Sequence, residues 1–137
     1  MAVAAERPSE KGETVTLDDG RIIGGKVFLS PPKKGRVAAI FSDTKACPQA
    51  VRAAQNADVL VHEATFAAGD EETAERVFHS TVSDAAKLAL QANVKQLYLT
   101  HISARYTEEG QRLMLERQAH TIFPASKVVG DFDVFDI

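Results

Sequence analysis

Asp43, Glu63, His79 and His101 are the residues whose types could do chemistry together. Carboxylate oxygens and imidazole nitrogens are donors for a borderline divalent cation, zinc most simply. An imidazole beside a carboxylate can also carry a proton near neutral pH. Spacing adds to type. Asp43 follows the apolar run Val37-Ala-Ala-Ile-Phe41, His62-Glu63 follows Val59-Leu-Val61, and His101 follows Gln96-Leu-Tyr-Leu99. Short runs of Val, Ile, Leu and aromatics bounded by polar residues read as buried strands. Sites in open α/β sheets lie beyond the carboxyl ends of strands. The pattern therefore predicts one sheet edge that gathers Asp43, Glu63 and His101.

Each residue also has an ordinary structural reading. Asp43 can accept backbone hydrogen bonds in a turn. His101 and His62-Glu63 can be hydrogen-bonded rim residues. His79 precedes Ser80-Thr81 and a helix start, whose partial positive charge disfavours an imidazolium. A nearby carboxylate, with Glu63 the obvious candidate, would favour it and equip His79 as a proton donor. His120 reads as structural or surface. Cys47 reads as a small buried apolar residue, because no base accompanies it. Lys33, Lys34 and Arg36 form a small basic cluster of the kind usually found on solvated surface.

The elements that must position these groups alternate. Residues 1–13 are polar and aperiodic and read as a loose lead-in. Thr14–Thr16, Asp18-Asp-Gly20 and Arg21–Ile23 read as a β-hairpin. Ser30-Pro-Pro-Lys-Lys-Gly35 reads as a stiff loop. Cys47-Pro48 opens a helix with proline in its first turn and an apolar face of Ala50, Val51, Ala54 and Ala57. Residues 67–77 read as a short exposed helix. Thr81-x-x-Asp84 resembles a capping box before the stripe Val82, Ala85, Ala86 and Ala89. Thr107-Glu-Glu109 starts a last helix that ends near Phe123-Pro124. Val128-Val129 and Val134-Phe135 read as terminal strands. Alternating strands and helices predict α/β layers.

The bulk properties fit that reading. The 137 residues are 45% hydrophobic and 26% charged, enough for one cored domain with an ordinary surface. The net charge of −3 is not the global signature of a nucleic-acid binder. A single cysteine excludes an internal disulfide and a CxxC zinc motif, and a reducing cytoplasm is the simplest home. No apolar run approaches a membrane span, so no membrane partner is expected.

Four segments in order resemble one family: Phe41-Ser-Asp-Thr44, His62-Glu-Ala-Thr-Phe66, Phe78-His-Ser-Thr81 and Leu99-Thr-His-Ile-Ser-Ala-Arg-Tyr106. They resemble the carboxyl-terminal half of ribonuclease Z, the zinc phosphodiesterase of the metallo-β-lactamase fold that removes 3′ trailers from precursor tRNA. The resemblance implies that residues 14–137 form the carboxyl-terminal half of an αββα sandwich. It implies that Asp43 bridges two zinc ions, that His101 is a ligand of one of them, that His79 is the catalytic histidine and that Glu63 orients it. It places Thr44, Ser80 and Arg105 in loops beside the substrate. The family is dimeric. The family's HxHxDH motif, which supplies most zinc ligands, does not occur in these residues, and no histidine precedes His62. The expectation is thus a half-enzyme, inactive without an amino-terminal half, with an uncovered sheet face prone to self-association as a homo-oligomer. Two alternatives remain open: another phosphodiesterase of the same fold, and a catalytically silent dimerisation or assembly module.

Overall fold

The computed structural model describes residues 14–28, 30–106 and 108–137. The loose lead-in expected over 1–13, and Thr107, lie outside the described residues. The chain divides after Gly35 into two compact units.

The first unit contains β1 (Thr14–Thr16) and β2 (Ile22–Gly24), paired antiparallel with Val15 opposite Ile23. Gly20 sits in the connecting turn at φ +81°, a left-handed conformation that glycine adopts without a Cβ clash. A short 3-10 helix, Gly25–Phe28, follows.

The second unit is built on a four-stranded sheet: β3 (Ala38–Phe41), β4 (Val59–Glu63), β5 (Gln96–Thr100) and β6 (Ser126–Val128). All neighbours are parallel, and their spatial order is their chain order. Helix α1 (Pro48–Ala53) links β3 to β4. Helices α2 (Glu71–Arg76) and α3 (Val82–Gln91) link β4 to β5, and α4 (Glu109–His120) links β5 to β6. Parallel crossovers are right-handed. Three of them advancing in one direction put their helices on one face of the sheet.

Register separates the two faces. Leu60 lies beside Leu97, and His62 beside Leu99, which lies beside Val128. This row faces the helices, and Leu60, Leu97 and Leu99 are completely buried with Ala85, Ala86, Ala89, Leu115 and Ala119. Small residues on α3 let it approach the sheet closely. The alternate row carries Ile40, Val61 and Tyr98. Ile40 is 72% exposed there. Tyr98 is partly covered by Phe135, stacked at 4.3 Å, with Lys127 Nζ 4.9 Å from the Phe135 ring. Val134-Phe135 was expected as a strand. It makes no strand, because it follows a turn at residues 131–132 and approaches the sheet through a side chain and not through ladder bonds.

Local signals account for the helix starts. Proline occupies the first turn of α1. Thr81 accepts from Asp84 N–H while the Asp84 carboxylate accepts from Thr81 N–H, a full capping box. Glu108 and Gln111 form the equivalent pair at α4. Among the described residues, no helix is long and apolar enough to cross a membrane.

Candidate functional site

Parallel strands end on one edge, so Asp43 and His101, following β3 and β5, and Glu63, the last residue of β4, emerge side by side. His79 reaches the same edge from the α2–α3 connection. Helix α2 ends in a Schellman turn: His79 N–H bonds to Ala74 O at 2.9 Å and Phe78 N–H to Glu75 O at 3.2 Å. Phe78 holds the left-handed position at φ +62°, where glycine is usual. A bridge then ties the segment after β4 to the start of α3, with Phe66 N–H donating to Ser80 O at 3.2 Å and Val82 N–H to Phe66 O at 2.9 Å. These links bring His79 against Glu63.

Glu63 is completely buried and accepts from five donors. Oε1 accepts His79 Nδ1–H at 2.7 Å, Thr44 N–H at 3.1 Å and Ser80 N–H at 3.2 Å. Oε2 accepts the amide and the hydroxyl of Thr65, each at 3.0 Å. One carboxylate thus gathers the loop after β3, the loop after β4 and the loop before α3. Such saturation lets it stay buried.

His101 leaves β5 with φ +55°, a left-handed turn that carries its ring off the strand line. Its Nε2 lies 3.4 Å from Asp43 Oδ1, and its Nδ1 lies 2.8 Å from Thr65 Oγ1. The His79 and His101 rings stack 5.3 Å apart, 20° from parallel. Both Asp43 and His101 are open to solvent, their side chains 61% and 48% exposed.

This donor set fits the edge of a divalent cation site. Asp43 and His101 offer an oxygen and a nitrogen toward one accessible spot, which is a hard-to-borderline pair. Glu63, His79 and His101 also bring ligand atoms within 4.8 Å of one another. The Glu63 oxygens, however, are already occupied by protein donors, so that trio is better described as a hydrogen-bonded unit than as a ligand set. A tetrahedral site needs more donors than Asp43 and His101 alone.

The other expected site residues fall into two groups. Arg105 is exposed and sits over the Phe66 ring at 5.2 Å, at the rim of the same edge. Thr44 and Ser80 lie at the centre but spend their groups internally. Ser80 Oγ donates to Thr44 O at 2.8 Å and accepts from Ala46 N–H at 3.0 Å, and Ser80 is fully buried. Thr44 Oγ1 donates to Lys45 O at 3.2 Å. They tie loops around Glu63, and a buried, engaged Ser80 hydroxyl has no surface for a substrate.

Thr65 and Phe66 were not singled out from sequence. Thr65 touches Glu63, His79 and His101 at once, and Phe66 lies between Arg105 and His79, 6.3 Å from the latter ring. Their position next to His62-Glu63 was the available signal. His62 itself turns to the helix side, with Nδ1 2.6 Å from Glu63 O and its ring edge-on to Phe41. Burial pushes its pKa below the usual histidine value, against the raising effects of that carbonyl and of the Glu63 and Asp84 charges. His120 is structural, with Nε2 2.7 Å from Ser126 O.

Comparison with known proteins adds to this geometry. Residues 8–102 match the family described as β-lactamase superfamily domain. The chain is 54% identical over 123 residues to the ribonuclease Z of Bacillus velezensis, covering 90% of this chain and 40% of that protein. It is 48% identical over 128 residues to the ribonuclease Z of Geobacillus kaustophilus, covering 93% and 41%. A metallo-β-lactamase fold protein of Bacillus subtilis superposes with a TM-score of 0.65 at 20% identity, over 74% of this chain and 40% of that one. The short form of human tRNase Z superposes with a TM-score of 0.57 at 29% identity, over 85% and 36%. The chain spans about 40% of the length of the curated relatives it matches.

Proposed function

The chain belongs to the β-lactamase superfamily, and on that footing we propose that it is the carboxyl-terminal part of a zinc-dependent endoribonuclease that removes 3′ trailers from precursor tRNA in the cytoplasm. The observation that carries this reading is the meeting, at one sheet edge, of the Asp43–His101 pair with the Glu63–His79 pair. Ribonuclease Z sequences at about half identity support the same assignment.

In this reading Asp43 and His101 hold zinc, together with donors from a segment bearing HxHxDH, a motif these residues do not contain. When bound, a zinc pair supplies Lewis acidity and lowers the pKa of water at the phosphodiester. Glu63 accepts from His79 Nδ1 and aims Nε2 of that ring outward. His79 then delivers a proton from Nε2 to the departing oxygen, which leaves as a neutral hydroxyl and not as an alkoxide. Arg105, exposed and braced on Phe66, offers a planar cation to a backbone phosphate. Thr44 and Ser80 keep the loops in place around Glu63. The sheet face bearing the exposed Ile40 receives the other half of the sandwich, and without it the chain self-associates.

The test is a co-refolding assay with a fragment carrying HxHxDH, zinc and labelled precursor tRNA. The expected outcome is cleavage by the complemented protein, none with Asp43→Ala, and none by the 137-residue chain alone. Cleavage by the chain alone would refute the half-site reading. Hydrolysis of a small phosphodiester without cleavage of precursor tRNA would point to a different phosphodiesterase of the fold. A well-folded, zinc-loaded but silent complex would point to an assembly module.

A further inference from the structure

We propose that Thr65 is a positioning residue that extends the reach of Glu63 to His101, fixing the His101 proton on Nδ1 and leaving Nε2 as a bare lone pair facing Asp43. The use of that lone pair rests on the metal reading above. The proton's position rests on hydrogen-bond geometry alone.

Thr65 lies two residues beyond β4 in sequence from Glu63, and the backbone there stays laced to the segment after β5. Ala64 N–H donates to Thr100 O at 2.9 Å and Ser103 N–H to Thr65 O at 3.2 Å. The lacing aims the Thr65 hydroxyl between Glu63 and the His101 ring, and Thr65 is only 9% exposed. Its Oγ1 lies 3.0 Å from Glu63 Oε2 and 2.8 Å from His101 Nδ1.

A threonine hydroxyl has one proton to give and lone pairs with which to accept. The remaining groups within hydrogen-bond distance of the Glu63 oxygens, two amides besides that of Thr65 and the His79 ring, approach as donors. The carboxylate is therefore an acceptor, and the Thr65 proton goes to it, in a bond strengthened by the carboxylate charge. Giving the proton to His101 instead would leave two acceptor oxygens 3.0 Å apart with nothing between them. With its proton committed, Oγ1 must accept at its short contact with His101, so Nδ1 carries the hydrogen.

The far side of the ring agrees. His101 Nε2 to Asp43 Oδ1 is 3.4 Å, longer than the 2.7–3.2 Å of an ordinary N–H···O bond. Two lone-pair atoms facing each other at that distance are arranged for a cation. His79 is anchored to the same unit through its own Nδ1, 2.7 Å from Glu63 Oε1. One buried carboxylate thus sets both stacked imidazoles in the same sense, one directly and one through a hydroxyl. Partners of this kind, which orient a ligand without touching the metal, typically matter by 10–100-fold in metal affinity.

The experiment is ¹⁵N NMR of histidine side chains in the 137-residue chain, metal-free and at mildly alkaline pH. Wild-type His101 should show its proton on Nδ1. Thr65→Val, which keeps the shape and removes the hydroxyl, should shift the proton toward Nε2, and Thr65→Ser should restore the wild-type pattern. In a zinc titration of the chain complemented with the HxHxDH fragment, read at His101 Nε2, Thr65→Val should bind about 10–100-fold more weakly and Thr65→Ser close to wild type. A wild-type proton on Nε2 overturns the proposal, and so does a folded Thr65→Val that keeps it on Nδ1. Should Thr65→Val fail to fold, wild type and Thr65→Ser still decide: the proton on Nδ1 in both supports the relay, and on Nε2 refutes it. Zinc that leaves Nε2 undisturbed while the proton stays on Nδ1 would count against the metal reading and for the hydrogen-bond relay.

Discussion

His62 and Glu63 are consecutive, both completely buried and oppositely provided for: Glu63 has five donors, whereas His62 Nε2 has no partner among the described residues. The sign of the His62 effect follows from its lowered pKa. The unfolded chain binds a proton below about pH 6.5, while the folded chain resists it until lower pH. Stability is therefore full above that value and falls as pH drops through it, by at most about 1.4 kcal/mol per pH unit for one proton. Urea unfolding from about pH 8 to about pH 5 should show this decline, and His62→Gln should remove it. For the acid–base pair, His79→Ala in the complemented enzyme should slow cleavage by about 10²–10⁴-fold with zinc content intact. Glu63→Gln should do more than misorient His79, because an amide turns an N–H toward donors. It should also cost about 1–3 kcal/mol for each donor so stranded, read as a lowered denaturation midpoint. Asp43, Glu63 and His101 were legible as strand-end residues from pattern alone. Thr65 was not, because its meaning comes from His101, 36 residues away, and no local period encodes that meeting.

Among the elements, the strands and the α3 cap were readable because each obeys a local rule: apolar runs, and a Thr-x-x-Asp box whose two halves both form. The apolar stripe of α3 was equally readable, and Val82 and Ala85 are fully buried, whereas α1 stops at Ala53, so that Ala54 and Ala57 are buried beyond its end. The end of α2 was not, since the left-handed position carries Phe78 where a glycine would have announced the turn. That residue is 71% exposed, so its ring contributes little packing. Removing its Cβ relieves about 1–2 kcal/mol of left-handed strain against a backbone entropy cost of about 0.5–1 kcal/mol. Phe78→Gly should therefore raise the unfolding midpoint slightly, by about 0.5–1 kcal/mol in denaturant titration. If the strain holds His79 in place, the same variant should slow the complemented enzyme even as it becomes more stable.

At the scale of the whole molecule, one face of the sheet is filled by three crossovers and the other carries Ile40, Val61 and Tyr98, of which Ile40 is exposed and Tyr98 lies against the Phe135 ring. Ile40→Lys places a charge on that face, on the edge strand β3, without touching the helix side. It should reduce self-association in sedimentation velocity, and it should weaken capture of a complementing half by the same substitution. The layer class was legible from alternation, whereas the uncovered face was expected from the family resemblance and not from pattern, because apolar residues on both faces of a short parallel strand look alike in sequence. The order of the strands has a kinetic consequence. Each strand pairs with the one just before it in the chain, so every crossover closes over a short stretch and none waits for distant sequence. Such a sheet can assemble progressively as the polypeptide lengthens, and Ile40 is on display from the first pairing onward. The hazard it runs is then measured in time, as the interval for which apolar residues such as Ile40 stand exposed to other chains.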